Sequence, residues 1–231
     1  DILGFIADPV VVYLGMGLSD SAVPGRWVRA LVEHPRIAHA FAENPRLSHA
    51  KLTPMPIGLD PVVLRHAEVL HQIAVETPLD RKIVDRVAGA WEPIGPLRRS
   101  AKEFMEATPW CDWIATEGDG EGRRIAYWRT LSKYAFALAP PAMIKGEARP
   151  TGPFWDMDSH RVLETLALGT IPILWHGVSA AAWEGLPVVK VSSWSEITQS
   201  SLRRWWAEKK PLLHGDRPFT KSVYWWAKIE R

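Results

Sequence analysis

Apolar runs without polar alternation recur along the chain, and stripes of helical period fall between them. Val10 to Leu14 is β-branched and aromatic and stops at Gly15 and Gly17, which predicts a buried strand entering a tight loop. Pro24 then opens a helix with Trp27, Val28, Leu31 and Val32 as its apolar stripe, closed by His34-Pro35. Residues 37–42 and 51–55 predict two further strands, the second running into the rigid exit Pro56-Ile57-Gly58-Leu59. Over residues 60–79, Val63, Leu64, Ala67, Leu70 and Ile73 predict a connecting helix, ended by Pro78. A boundary at that point divides the chain into domains 1–80 and 81–231.

The second region repeats the alternation. Strands are predicted at 83–88, 111–116, 135–139, 171–174 and 188–191, and helices at 97–107 and 125–134. Glu117 to Gly122 reads as a turn. The richest stretch runs from Asp156 to Ile173: either Asp158 or Ser159 caps a helix whose apolar residues are Val162, Leu163, Leu166 and Ala167, and Gly169 stops it. Residues 194–210 and 221–231 predict helices carrying the pairs Trp205-Trp206 and Trp225-Trp226. Apolar strands covered on both faces and joined by helices are the mark of an α/β protein with parallel, doubly wound sheets.

Composition narrows the picture only a little. The 231 residues carry a formal net charge of +2, spread along the chain, so charge gives no reason to expect a nucleic-acid partner. The single cysteine, Cys111, rules out an internal disulfide framework and reads as a small core residue. The 13 Trp suit sugar or base stacking, core packing and membrane interfaces alike. Trp pairs among Lys and Arg fit a membrane interface, but packing of one Trp of each pair inward is the favoured reading. No apolar run is long enough for a membrane span, and a cytoplasmic location is the expectation. The chain starts at Asp1 rather than Met and its first region is short, which leaves room for strands ahead of Asp1.

The candidate chemistry lies in loops next to predicted helix starts. Lys145, Gly146, Arg149 and Gly152 stand between a strand and the capped helix, where cations, a yielding backbone and free helix N–H groups suit a diphosphate. A solvated surface loop fits the same spacing equally well. Arg161 and Glu164 read either as a ligand pair, cation to phosphate and carboxylate to ribose, or as a helix ion pair worth about 0.2–0.5 kcal/mol. Spacing alone favours the ion pair. His160 suits a base, a phosphate donor or a first-turn surface residue. Asp156-Met157-Asp158 has the spacing of a metal-holding pair, but its place just before a helix favours a cap, and no metal is expected. The histidines show no metal-ligand spacing. Asp20, after the Gly-rich exit of the first strand, suits a general base on an acceptor hydroxyl and equally a cap or turn.

Several of these stretches, in order, resemble the exostosin-like glycosyltransferases, in particular their short bacterial and viral members. Ser132-Lys133-Tyr134-Ala135-Phe136-Ala137-Leu138-Ala139-Pro140 is similar to that family's Lys-Phe-x-x-x-Pro segment, and Asp158-Ser159-His160-Arg161-Val162-Leu163-Glu164 to its Asp-x-His-Arg-x-x-Glu. Ser19-Asp20 to Val23-Pro24, Phe41 to Asn44 and Lys51 to Leu59 follow the family order in the first region. The chain departs from the pattern at Gly17-Leu18, where the family often has His-Asn, and at Thr151 to Trp155, where it often has a Gly-Asn-Gly loop.

The resemblance implies a GT-B architecture, two Rossmann-like domains facing across a cleft. It implies an inverting, metal-independent transfer of a sugar from a nucleotide-sugar donor, a UDP-sugar first, to a glycan hydroxyl. Asp20 would be the base, and Arg161, Glu164, His160, Asp158 and Lys133 would bind the donor. The alternative it leaves open is a non-catalytic glycan- or nucleotide-binding member with Trp residues as platforms.

Overall fold

The computed structural model describes residues 10–14, 25–45, 47–115, 120–141, 159–177 and 179–214. The protein is α/β with two all-parallel sheets, one of three and one of five strands. It divides into two compact units. One comprises Asp1–Ile57, Ala142–Asp158 and Gly177–Glu184, the other Gly58–Pro141, Ser159–His176 and Gly185–Arg231.

In the first unit, β1 (Val10–Leu14), β2 (Ile37–Glu43) and β3 (Leu52–Met55) pair in that order. The helix α1 (Gly25–Glu33) makes the crossover between β1 and β2. Its Val28 and Val32 pack on Ala40, Ala42, Leu47 and Leu52, so the predicted stripe is the buried face. Trp27, expected in that stripe, is instead exposed. Lys51 Nζ donates to the Ile37 carbonyl at 2.8 Å and ties the start of β3 to β2.

The second unit opens with two helices, α2 (Pro61–Arg65) and α3 (Ala67–Glu76). The sequence reads residues 60–79 as one helix, but the chain leaves helical geometry at His66, with φ −114° and ψ 21°. Val63, Leu70 and Ile73 share a core with Ala88, Trp128, Leu131 and Ala137. Helices from residues 58–80, expected ahead of the domain boundary, therefore pack with the larger sheet, and the chain first passes from one unit to the other between Ile57 and Gly58.

That sheet is built from β4 (Ile83–Gly89), β5 (Cys111–Trp113), β6 (Tyr134–Leu138), β7 (Ile171–Trp175) and β8 (Val189–Val191), in the order β5-β4-β6-β7-β8. The chain steps from β4 outward to β5 through α4 (Pro96–Ala107) and returns past β4 to β6 through α5 (Gly120–Leu131). The strand order therefore reverses between β4 and β6. In doubly wound sheets the crevice outside the carboxyl ends at such a reversal is where ligands bind. The helix α5 starts at Gly120, within the stretch expected to be a turn. The helix predicted at 194–210 is a 3-10 turn, Trp194–Glu196, followed by α7 (Gln199–Leu213). The predicted helix at 221–231 lies outside the described residues.

The stretch after β6 gives α6 (His160–Ala167), capped by Ser159, whose Oγ accepts from the Arg161 N–H. Gly169 ends it at φ 69°. Its N–H donates to the Leu166 carbonyl at 2.9 Å and that of Thr170 to the Thr165 carbonyl at 3.0 Å, the two bonds of a Schellman motif. Beneath this turn lies Lys82, only 6% exposed. Its ammonium donates to the carbonyls of Ser132 at 2.5 Å and Leu168 at 3.1 Å and to Thr170 Oγ1 at 3.2 Å. A buried cation held this way joins the starts of β4, β6 and β7 at the amino edge of the sheet. No described helix is long and apolar enough to cross a membrane.

Candidate functional site at the strand-order reversal

The carboxyl ends of β4 and β6 deliver two loops, each leading into a helix, α4 and α6. Both helices carry an arginine in the first turn, Arg98 and Arg161. The positive end of a helix dipole disfavours a cation there, so each arginine is placed against local preference. Arg98 Nε donates to the Pro141 carbonyl at 3.0 Å, which links the α4 start to the loop leaving β6 across the reversal point. The guanidinium is drawn below its ordinary range, first by burial and then by repulsion from Arg161, with Glu92 opposing. Arginine stays charged even so. Among the described residues neither Arg98 nor Arg161 forms an ion pair with a carboxylate.

Arg161 lies over the ring of Tyr127 on α5, 5.8 Å from its centroid. Burial raises the Tyr127 phenol to about 12, and Glu164 adds to the shift while Arg161 opposes it, so the hydroxyl stays protonated near neutrality. Glu164, one turn further along α6, faces inward and is 5% exposed. Trp128 Nε1 donates to its Oε2 at 2.9 Å. Arg124 NH1 lies 3.7 Å from its Oε1, and Arg124 NH2 lies 3.8 Å from Asp60 Oδ2. Arg161 and Glu164 thus form no ion pair with each other; Arg161 lies over Tyr127, whereas Glu164 is held by Trp128 and Arg124, all three on α5. Glu164 is part of a buried network, and Arg161 is paired with no carboxylate among the described residues.

His160 Nδ1 lies 2.9 Å from the Gly58 carbonyl. A carbonyl only accepts, so Nδ1 carries the proton, and Nε2 is left as the acceptor of the neutral ring. Lys133 stands elsewhere. It is exposed in the turn before β6, at the amino end of the strand, whereas Arg98, His160 and Arg161 gather at the carboxyl end. Lys133 is therefore not part of this cluster. Asp20, Asp158 and the loop residues Lys145, Gly146, Arg149 and Gly152 lie outside the described residues, as does Asp156. No three His, Cys, Asp or Glu side chains among the described residues are grouped as a metal-holding set.

Sequence reasoning missed Arg98, Arg124, Tyr127 and Trp128. For Arg98 a signal was present: a cation just after Pro96, in the first turn of a helix that follows a strand, repeats the situation of Arg161. The three α5 residues carry no local mark, because their roles come from contacts with α6. What the arrangement offers chemically is two cations and a capped helix start at the ligand-binding edge of a Rossmann-like sheet. Neither protein-family models nor curated proteins match this chain.

Proposed function

We propose that the protein is a glycosyltransferase of the exostosin-like, GT-B type, which moves a sugar from a nucleotide-sugar, a UDP-sugar first, to a glycan hydroxyl. The observation that carries this reading is the pair Arg98 and Arg161 at the reversal between β4 and β6, both in helix first turns and neither neutralised by a described carboxylate. A diphosphate that gains a further negative charge as it leaves rewards such an arrangement. In the reaction a base takes the proton of the acceptor hydroxyl, and Asp20 is the residue proposed for this. The acceptor oxygen bonds to the anomeric carbon while the bond from that carbon to the diphosphate oxygen breaks. The nucleoside diphosphate leaves with the electron pair, and Arg98 and Arg161 meet its charge.

The test is hydrolysis or transfer from a panel of UDP- and GDP-sugars, with Arg98→Ala and Arg161→Ala as controls. Turnover by the wild type that falls about 100-fold or more in either variant supports the reading, the loss expected for removing one donor from a developing anion. Nucleotide binding without turnover of any donor overturns the enzyme and leaves a non-catalytic nucleotide-binding protein of the same fold.

A further inference from the structure

Next to the two arginines, at the same carboxyl edge, stands an aromatic feature that diphosphate binding does not use. Trp113 closes β5, the strand beside β4, and keeps 37% of its surface exposed. It is nevertheless held in place. Its ring meets that of Trp91 at a centroid distance of 4.9 Å and an angle of 68°. Trp91 is buried, and its Nε1 donates to the carbonyl of Arg98 at 3.0 Å. The loop between β4 and α4 adds a second exposed apolar side chain, Ile94. Lys102, one turn after Arg98 on α4, places its ammonium 5.4 Å from the Trp113 centroid and is also paired with Glu106 at 3.3 Å.

We infer that Trp113 is the platform on which the base of a nucleotide stacks, with its diphosphate on Arg98 and Arg161. This rests on the diphosphate reading of the reversal site. Three points support it. Trp113 meets Trp91, which bonds the backbone carbonyl of Arg98, so the platform and the helix turn that carries the phosphate cation are held in fixed relation. The spacing also fits: β5 lies one strand, about 4.8 Å, beyond β4, and the crevice lies on the other side of β4, a span that base, ribose and phosphate bridge. Finally, among the described residues the only cation over the ring is the end of a flexible lysine that has Glu106 to fall back on. Base stacking outweighs an exposed cation–π contact, so a base displaces it. Every base has a π-face, so uracil and guanine are both accepted.

Titration calorimetry of the full chain with UDP, GDP and inorganic pyrophosphate tests this. Trp113→Leu keeps apolar bulk against Trp91. It is expected to raise the Kd of both nucleotides about tenfold, with pyrophosphate binding unchanged, and Trp113→Phe is expected to restore most of the loss. Unchanged nucleotide affinity in Trp113→Leu overturns the platform and leaves the diphosphate site standing. Parallel loss of nucleotides and pyrophosphate also overturns it, because that marks a structural role for the ring. Wild-type protein that binds neither overturns the diphosphate site and the platform with it.

Discussion

The indole of Trp128 on α5 donates a hydrogen bond to the Glu164 carboxylate on α6, at 2.9 Å, and both side chains are buried. The bond fixes the orientation of α6 against α5. It also means that the carboxylate cannot be altered without consequences for stability.

Replacing Trp128 with Phe is expected to leave Glu164 Oε2 without its donor inside the protein. The expected cost is about 1–3 kcal/mol for the orphaned acceptor, with a further loss from reduced packing. Glu164→Gln keeps an acceptor for the indole and loses only the charge facing Arg124, so it is expected to cost less. Urea denaturation of the two variants gives the comparison, and equal or reversed costs would count against the hydrogen bond as the main link.

Lys82 offers a test of the buried cation. Lys82→Met matches its length and removes the donors to Ser132, Leu168 and Thr170. A loss of about 2–4 kcal/mol is expected, since several acceptors are orphaned together. Arg98, Arg161 and Trp113 stand at the opposite edge of the sheet, so nucleotide affinity of the folded variant should not change. A change in affinity at full folding would refute the separation of the two edges.

The Arg86 and Asp112 pair gives a pH signature. Arg86 Nε donates to Asp112 Oδ2 at 2.5 Å, and its NH2 pairs with Oδ1. The guanidinium bond, aided by Tyr134 and opposed by burial, holds the carboxyl below its ordinary value of 3.8. With the folded value lowered, the unfolded chain binds more protons in that range, so the contribution is complete above about pH 4 and is lost as pH falls through the folded value. Asp112→Asn is expected to make the acid limb of stability shallower below about pH 4. Thermal melts from pH 2 to 7 would show an unchanged acid limb if the pair contributes nothing.

Gly89 is the tightest position at the end of β4. A Cβ there would lie 2.5 Å from Trp91 Cζ3 and 2.9 Å from Met105 Sδ. Methionine can move, but Trp91 is pinned to the Arg98 carbonyl. Gly89→Ala is therefore expected to cost about 1–3 kcal/mol as overpacking. It should weaken nucleotides more than pyrophosphate, because the displaced Trp91 carries Trp113 with it. Melting temperature and calorimetry together check both parts.

Much of the fold was legible because fully covered parallel strands leave plain apolar runs. The bounds of Val10–Leu14 are recovered to the residue, but the strand is not the buried one its apolar run predicts, since Val11 and Tyr13 are exposed; Ser159 and Gly169 mark the two ends of α6. Long-range effects were not legible. Nothing in the stripe from Val63 to Ile73 announces the break at His66, and nothing near Pro78 says that the preceding helices pack on the strands that follow. At the site, Arg161 was visible through its motif and its place in a first turn. The direction of Glu164 was not, because it depends on Trp128, 36 residues earlier in the chain. Trp113 ends a strand expected to run to residue 116, and it keeps 37% of its surface exposed.

That early stop has a consequence for solubility. The outermost strands of the five-stranded sheet, β5 and β8, are three residues each, shorter than β4, β6 and β7 between them. A border this short offers few unpaired backbone groups to a strand from another molecule. The sheet can thus keep an indole in the open at its rim with little risk of growing edge to edge into an aggregate.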